Sequence, residues 1–326
     1  MMDTSGPLAV GGVSLRLYPH DLSAQGRIDE LRLQARLAVE AGFDGVMVSE
    51  HHADFFGYLP NPWQMCNFLL PAMPRGWVAP APILLPMMPY AILAEYVAWL
   101  QAAYPGRVGA GFGMGAFKSD FDLVGVPIDE IRDRFVEALP KIVAALRGQD
   151  PTPLGQDRAL AACKDAPIPM AVAAQSTGAV KRAAGLNTGI MYDSIQPNEH
   201  SRKLSDLYTA TGGSAAKILI RRVWIGDMPE ENVKAQMAAF MAVAPDRAKK
   251  NWTGESQTCV APTGEEAAEL LAQTMIESGT NTANVRIYVK GLEPAQVRAQ
   301  LERHGSEFIP RFRKLMAERV LPAVRA

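Results

Sequence analysis

A chain of 326 residues with 48% hydrophobic side chains can bury a large core, as one big domain or two small ones. Its 33 basic and 34 acidic residues leave a formal charge of −1, with no basic stripe interleaved by aromatics. That balance excludes the usual footprint of a nucleic-acid or membrane-surface binder.

Cys66, Cys163 and Cys259 are odd in number, far apart and in no metal-ligand spacing. They fit a reduced cytoplasm rather than a disulfide framework. The chain opens with neither a basic n-region nor a long apolar h-region, so no signal peptide is expected. The most apolar stretch, 78–90, carries Pro80, Pro82, Pro86 and Pro89 and is far shorter than the ~20 residues of a membrane span. A soluble cytoplasmic protein with no membrane partner is expected.

Residues 8–17 predict a first strand, followed by a loop with His20 and Asp21. The amphipathic stretch 28–41, closed by Gly42, predicts a helix, and 45–49 a second strand. That strand runs into Glu50, His51 and His52. In an α/β barrel the C-terminal strand ends are where chemistry collects. If the strand continues through the trio, side chains alternate faces, and both imidazoles cannot reach one metal without a bulge. No metal site is expected. A packed, hydrogen-bonded histidine beside an ion-paired glutamate is the ordinary outcome for such residues.

A long loop, 53–76, is rich in aromatics: Phe55, Phe56, Tyr58, Trp63 and Phe68. Residues 78–85 predict a third strand, 90–103 a helix ended by Pro105–Gly106, and 107–112 a fourth strand. This strand enters a turn with Gly111, Gly113, Met114 and Gly115, and Asp120 follows shortly. Apolar residues at Ile131, Phe135, Leu139, Ile142, Val143 and Leu146 predict a helix over 129–147. After a connector, 150–169, strands are predicted at 169–174, 189–193 and 216–224, with helices at 176–184 and 200–211. About 55 residues separate the seventh run from the eighth, 283–289, far above the usual loop length. Within that gap 231–243 and 264–278 look helical and 244–262 irregular; a last helix pattern covers 294–319.

Strand-like runs alternating with helices predict parallel strands joined by crossovers. The expected fold is α/β, a (β/α)8 TIM barrel forming one domain over 1–326, with an insertion at about 227–282 after strand 7. A doubly wound sheet is the alternative, but Gly11–Gly12 after the first run offers no G-x-G-x-x-G.

Four groups fall at strand ends where one ligand could touch them all: Glu50–His51–His52, the glycine turn with Asp120, Gln175–Ser176–Thr177, and Arg132. Each has an ordinary structural use: a packed histidine, glycine for close strand packing, a plain N-cap, a surface salt bridge. Together they describe a ligand with a planar head near a histidine and a phosphate at a helix start or arginine. A flavin mononucleotide fits that description.

The sequence resembles the bacterial-luciferase-like family of flavin-dependent monooxygenases. The resemblance rests on Glu50–His51–His52 and Phe56–Gly57–Tyr58–Leu59–Pro60–Asn61–Pro62, then Leu85–Pro86, Ala94–Glu95, Gly106–Arg107, Gly111, Asp120–Phe121 and Gly125–Val126. It closes with Pro262–Thr263–Gly264–Glu265–Glu266 and Phe308–Ile309–Pro310–Arg311–Phe312. It implies a (β/α)8 barrel that binds reduced FMN, forms a flavin C4a-hydroperoxide with O2, and oxidises a small or medium apolar organic substrate. By position it implies His51 as catalytic base, with Glu50 and with Asp120 beside the flavin ring. The implied cofactor-binding set is Ala81, Gly111, Gly113, Met114, Arg132, Gln175, Ser176 and Thr177, and Ala81–Pro82 is expected to be a cis bond.

A histidine with a pKa near ~6.5 suits proton transfer at neutral pH. The long segment after strand 7 corresponds to a mobile lid that Lys249–Lys250 help close, keeping water out. A separate flavin reductase and a homodimer built on helices 28–41 and 90–103 are also implied. Gly113 and Met114 stand where luciferase itself has a reactive cysteine and an arginine, and Gln175 replaces its carboxylate, so light emission is not implied. The alternatives are an F420-dependent oxidoreductase of the same fold and a non-catalytic flavin-binding partner subunit. A metal-dependent barrel hydrolase is disfavoured, since no H-x-H pair or lysine ligand follows a strand.

Overall fold

Among the described residues ten strands pair in parallel: β1 (Val13–Arg16), β2 (Gly45–Val48), β3 (Trp77–Pro80), β4 (Ile83–Leu84), β5 (Ala110–Gly113), β6 (Met170–Ala173), β7 (Gly189–Tyr192), β8 (Lys217–Ile225), β9 (Thr258–Ala261) and β10 (Thr282–Arg286). This computed structural model describes residues 5–55, 58–244, 246–249 and 258–325. The sheet runs β3-β2-β1-β10-β8-β7-β6-β5-β4, and a bridge between Val78 and Val108 brings its two ends together. The result is a nearly closed parallel barrel with alternating helices, as the sequence pattern predicts.

The helices before the midpoint are α1 (Ala24–Glu40), α2 (Pro62–Leu69), α3 (Tyr90–Ala103), α4 (Lys118–Asp122), α5 (Ile131–Ala145) and α6 (Arg158–Ala162). After it come α7 (Thr177–Gly185), α8 (Asn198–Ala210), α9 (Glu230–Val243), α10 (Asp246–Lys249), α11 (Gly264–Ser278), α12 (Pro294–Arg303), α13 (Ile309–Leu315) and α14 (Leu321–Arg325). Their ends follow local chemistry. Ser23 accepts a hydrogen bond from Gly26 N (3.2 Å), which starts α1 one turn earlier than the apolar spacing alone suggests. Thr263 accepts from Glu266 N (3.3 Å) at the start of α11, and Gly279 ends that helix at φ 68°.

Strand alternation sorts the side chains into two cores. Met47, Ala79, Ala81, Ala171, Met191, Ile218 and Ile220 fill the barrel interior. Val46, Val48, Leu15, Val285 and their like face the helices. Each such buried aliphatic side chain contributes roughly 1.5–3 kcal/mol relative to an exposed one.

Several expectations are corrected. Only Val13–Arg16 of the first run is strand; Leu8 takes φ 55° and packs into the inner core beneath β1. The third run divides into β3 and β4 around Ala81–Pro82, which is cis as expected. The aromatic loop contains α2, begun by Pro62 at its first turn. Residues 244–262 are not wholly irregular, since β9 pairs with the upper half of β8, Arg222 to Ile225. The last helix is interrupted by π-turns at His304–Phe308 and Met316–Val320, each followed by proline, Pro310 or Pro322. Proline lacks the N–H of the regular ladder, and a widened turn accommodates that loss. Phe56, Gly57 and Lys250 lie outside the described residues.

His304 sits in the first π-turn, fully buried against Phe43 and Phe308. Burial pushes its pKa down to about 4. The unfolded chain therefore takes up a proton between about pH 6.5 and 4 that the native chain refuses. Above pH 6.5 this group makes no difference; below it, stability falls by about 1.4 kcal/mol per pH unit. Urea unfolding at pH 7, 6 and 5 should show that slope, and His304→Phe should remove it.

Candidate active site

β2 stops at Val48, and the next residues leave the barrel at its C-terminal rim. Glu50 N donates to Pro82 O (3.2 Å) and His51 N to Leu59 O (3.2 Å), which pins the trio between two neighbouring segments. The two imidazoles turn to different carboxylates. His51 Nδ1 lies 2.8 Å from Asp120 Oδ2, and His52 Nε2 lies 3.1 Å from Glu50 Oε1. Both carboxylates are buried, Glu50 at 3% and Asp120 at 1% exposure.

Asp120 accepts at both oxygens, since His52 N donates to its Oδ1 (2.9 Å). With Nδ1–H committed to a carboxylate, the network assigns the free lone pair of His51 to Nε2. Rings surround the imidazole: Tyr58 at 4.6 Å, Phe55 at 4.9 Å and Phe117 at 5.3 Å between centroids. This is the geometry of an oriented base in a mostly apolar cage. Among the described residues no group of three His, Cys, Asp or Glu is placed to hold a metal ion.

Glu50 has a second duty, accepting from Leu84 N (2.6 Å). Its hydrogen bond to His52, aided by the nearby Asp120, raises the imidazole's pKa above the ordinary histidine range against the effect of burial. Glu50→Gln should return the His52 titration toward ordinary histidine, read by the NMR shift of its ring proton against pH.

Two of the three remaining groups border this rim. Gly111 has no room for a side chain, because a Cβ there would meet the Ala81 Cβ at 2.5 Å; one at Gly113 would lie 3.0 Å from Pro82 Cβ. Gly115 turns at φ 81° against Phe121. With Ala81, Ala171 and Ala173 these glycines leave a floor of small residues along β3 to β6. Met114 packs partly buried beside it. Ser176 is the N-cap of α7, accepting from Ala179 N (3.3 Å), and Thr177 begins the helix. Gln175, just before it, holds a buried amide oxygen with no partner among the described residues.

Arg132 stands apart. Its side chain is 70% exposed and lies 3.3 Å from Asp133. The hydrogen bonds that join His51, His52, Glu50 and Asp120 do not extend to it.

One group escaped the sequence reading. Arg16, Arg222 and Arg286 end or interrupt three apolar strands and are all buried. The signal was present, since an arginine inside VSLRL, KILIRRVWI and NVRIYV is out of place in a purely structural strand.

A sequence profile described as "Luciferase-like monooxygenase" matches residues 11–309. The alkanal monooxygenase alpha chain of Photorhabdus laumondii is 31% identical over 122 residues, 37% of this chain and 34% of that protein. An F420-dependent glucose-6-phosphate dehydrogenase of Beutenbergia cavernae is 29% identical over 196 residues, 54% of this chain and 53% of that one. The matches thus span about a third to a half of these relatives' lengths. Among solved structures, the oxygenating constituent of 3,6-diketocamphane monooxygenase from the CAM plasmid of Pseudomonas putida, in complex with FMN, superposes with a TM-score of 0.70. It is 17% identical, with 92% of this chain and 98% of that one covered, and so speaks for the fold alone. Among the described residues no helix is long and apolar enough to cross a membrane. The profile match covers most of the chain, and the chain belongs to the luciferase-like monooxygenase family.

Proposed function

We propose that this protein is a cytoplasmic, FMNH2-dependent monooxygenase acting with O2 on a small or medium organic molecule. The observation that carries the reading is His51, its Nδ1 held 2.8 Å from Asp120 and its ring caged by Phe55, Tyr58 and Phe117. The residues present fit a flavin: the small-residue floor can lie under a flat ring, and the free N–H groups at the α7 N-terminus suit a phosphate. In this reading Ala81, Gly111, Gly113 and Met114 border the ring, and Gln175, Ser176 and Thr177 hold the phosphate. Arg132 would have to leave Asp133 to join them.

Reduced FMN, when bound, supplies the electrons that activate O2. His51 Nε2 accepts or returns the proton at the reacting centre, and Asp120 holds the ring in the tautomer that leaves Nε2 free. Glu50 and His52 brace the segment that carries His51. The aromatic cage keeps bulk water away.

The family's lid corresponds here to the segment after β8. Supporting that role, α9 buries no residue of its own yet reaches across the mouth, with Phe240 5.6 Å from Phe117 and Gln236 Oε1 3.0 Å from Arg222. A homodimer is supported by the exposed stripe Ile92, Tyr96 and Trp99 on α3, at helical spacing. A separate reductase would deliver the FMNH2.

The second reading, an oxidoreductase using F420, is favoured by the longer match to an F420-dependent dehydrogenase. Anaerobic titration with FMNH2, then mixing with air, separates the two. Tight binding followed by slow return of oxidised-flavin absorbance supports the monooxygenase. Binding of reduced F420 but not FMNH2 moves the assignment to the second reading. Tight FMNH2 binding with immediate autoxidation points to a non-catalytic flavin-binding subunit.

A further inference from the structure

Arg16, Arg286 and Arg222 are register neighbours on three adjacent strands, Arg16 opposite Arg286 and Arg286 opposite Arg222. All three face the barrel interior. Ile218 and Ile220 belong to the inner core, so alternation turns Arg222 the same way. Arg16 reaches across that interior to Ala81 O (3.0 Å) and Met191 Sδ (3.6 Å). Their exposures are only 3%, 7% and 9% for Arg16, Arg222 and Arg286.

No carboxylate among the described residues pairs with any of them. Arg16 Nε donates to Asn284 Oδ1 (2.7 Å), Arg222 to Gln236 Oε1 (3.0 Å), and Arg286 to Ser194 Oγ (3.5 Å). Arg286 also lies 4.5 Å over the Tyr18 ring, and the buried Nε atoms of Arg222 and Arg286 have no partner. Three buried like charges with neutral partners are a costly arrangement unless an anion completes it. Arg222 itself and the neighbouring Tyr18 register the positive field. Burial, with Arg286 beside it, pushes the Arg222 guanidinium down to about 9. Burial pushes the Tyr18 phenol up, but Arg286 and Arg16, then a hydrogen bond with Tyr58 and the charge of Arg222, together more than reverse that effect.

The cluster lies on the β1–β10–β8 arc, with β7 between it and β6, whose end carries Gln175 and Ser176. It connects to the candidate base through rings: Tyr18 meets Tyr58 at 5.1 Å, and Tyr58 meets His51 at 4.6 Å. We propose that Arg16, Arg222 and Arg286 form a receptor for a carboxylate on the organic substrate, which lays the rest of that molecule over Tyr18 and Tyr58 toward His51. The planar fork of arginine matches a carboxylate's two oxygens. The inference rests on the monooxygenase reading for what happens to the substrate, but the anion site is testable without it.

The probes are octanoate, octanol and octyl phosphate, titrated calorimetrically into the full chain with and without reduced FMN. Octanoate is expected to bind about ten- to hundredfold more tightly than octanol. Arg222→Met and Arg286→Met should each remove that preference while leaving octanol binding and FMN binding unchanged. Without ligand, both variants should melt at a higher temperature than the parent, because each removes an unpaired buried charge. Arg222→Lys, which keeps the charge but loses the fork, should keep part of the preference.

Equal affinity for octanoate and octanol overturns the proposal, as does tighter binding of octyl phosphate than of octanoate. So does a lower melting temperature in both methionine variants, which would make the arginines structural. Loss of FMN binding with riboflavin binding retained would assign the cluster to the flavin phosphate and overturn the proposal too. A failed FMNH2 titration with octanoate selectivity intact would reject the monooxygenase reading alone.

Discussion

His51→Ala is expected to lower the rate of substrate oxygenation by about 10²–10⁴-fold, the range supplied by a positioned acid–base group. The side chain is held on one nitrogen by Asp120 (2.8 Å) and enclosed by three rings, so alanine removes the proton carrier and leaves the buried Asp120 carboxylate with its His52 N donor (2.9 Å). Binding of reduced flavin should change little, because the floor of small residues and the α7 N-terminus are untouched. Asp120→Asn tests the orientation separately. An asparagine NH2 turned to His51 would demand a lone pair at Nδ1 and move the proton to Nε2, so oxygenation should fall although His51 is present. Single-turnover mixing of the reduced complex with aerated buffer and substrate measures both. A wild-type rate in His51→Ala would remove His51 from the chemistry.

Gly45→Ala is expected to destabilise the barrel by roughly 1–3 kcal/mol or more, the range for overpacking a close-packed interior. A Cβ at Gly45 would lie inside contact distance of the Trp77 ring and the Trp77 carbonyl oxygen. Gly45 and Trp77 are register partners on β2 and β3, so the strands cannot separate without breaking their ladder. Gly185→Ala is the control, because a Cβ there meets nothing within 4 Å and the residue ends α7 in open space. It should be neutral or stabilise slightly, since alanine loses less backbone freedom than glycine. Urea midpoints of the two variants against the parent decide the matter. Equal midpoints for Gly45→Ala and the parent would mean that β3 can shift to admit the methyl group.

The local geometry of the candidate site was legible where chemistry and local order coincide. A carboxylate–imidazole run directly after an apolar strand marks a barrel rim, and Ser176 at a strand-to-helix junction marks an N-cap; both are there. Which nitrogen meets which carboxylate was not legible. Asp120 is far from His51 in sequence, and only the short helix α4, turned inward by buried Phe117 and Phe121, brings its carboxylate to the imidazole. Arg132 shows the limit from the other side. Helical spacing identified its turn of α5, but exposure and a neighbouring Asp133 decide where its charge goes.

By itself, the sequence determined the alternation of strands and helices, the parallel barrel that follows from it, and the position of the histidine run at a strand end. These depend on spacing between near neighbours, which a single chain displays. The tertiary structure alone decided the split of the third run, the pairing of β9 with β8, and the layer in which Arg16, Arg222 and Arg286 meet. Their Cα partners lie far apart in the chain, and register between such strands is set by how the whole interior packs. An arginine inside an apolar strand is an oddity in one dimension; three of them in one layer form a charge that calls for a counter-ion.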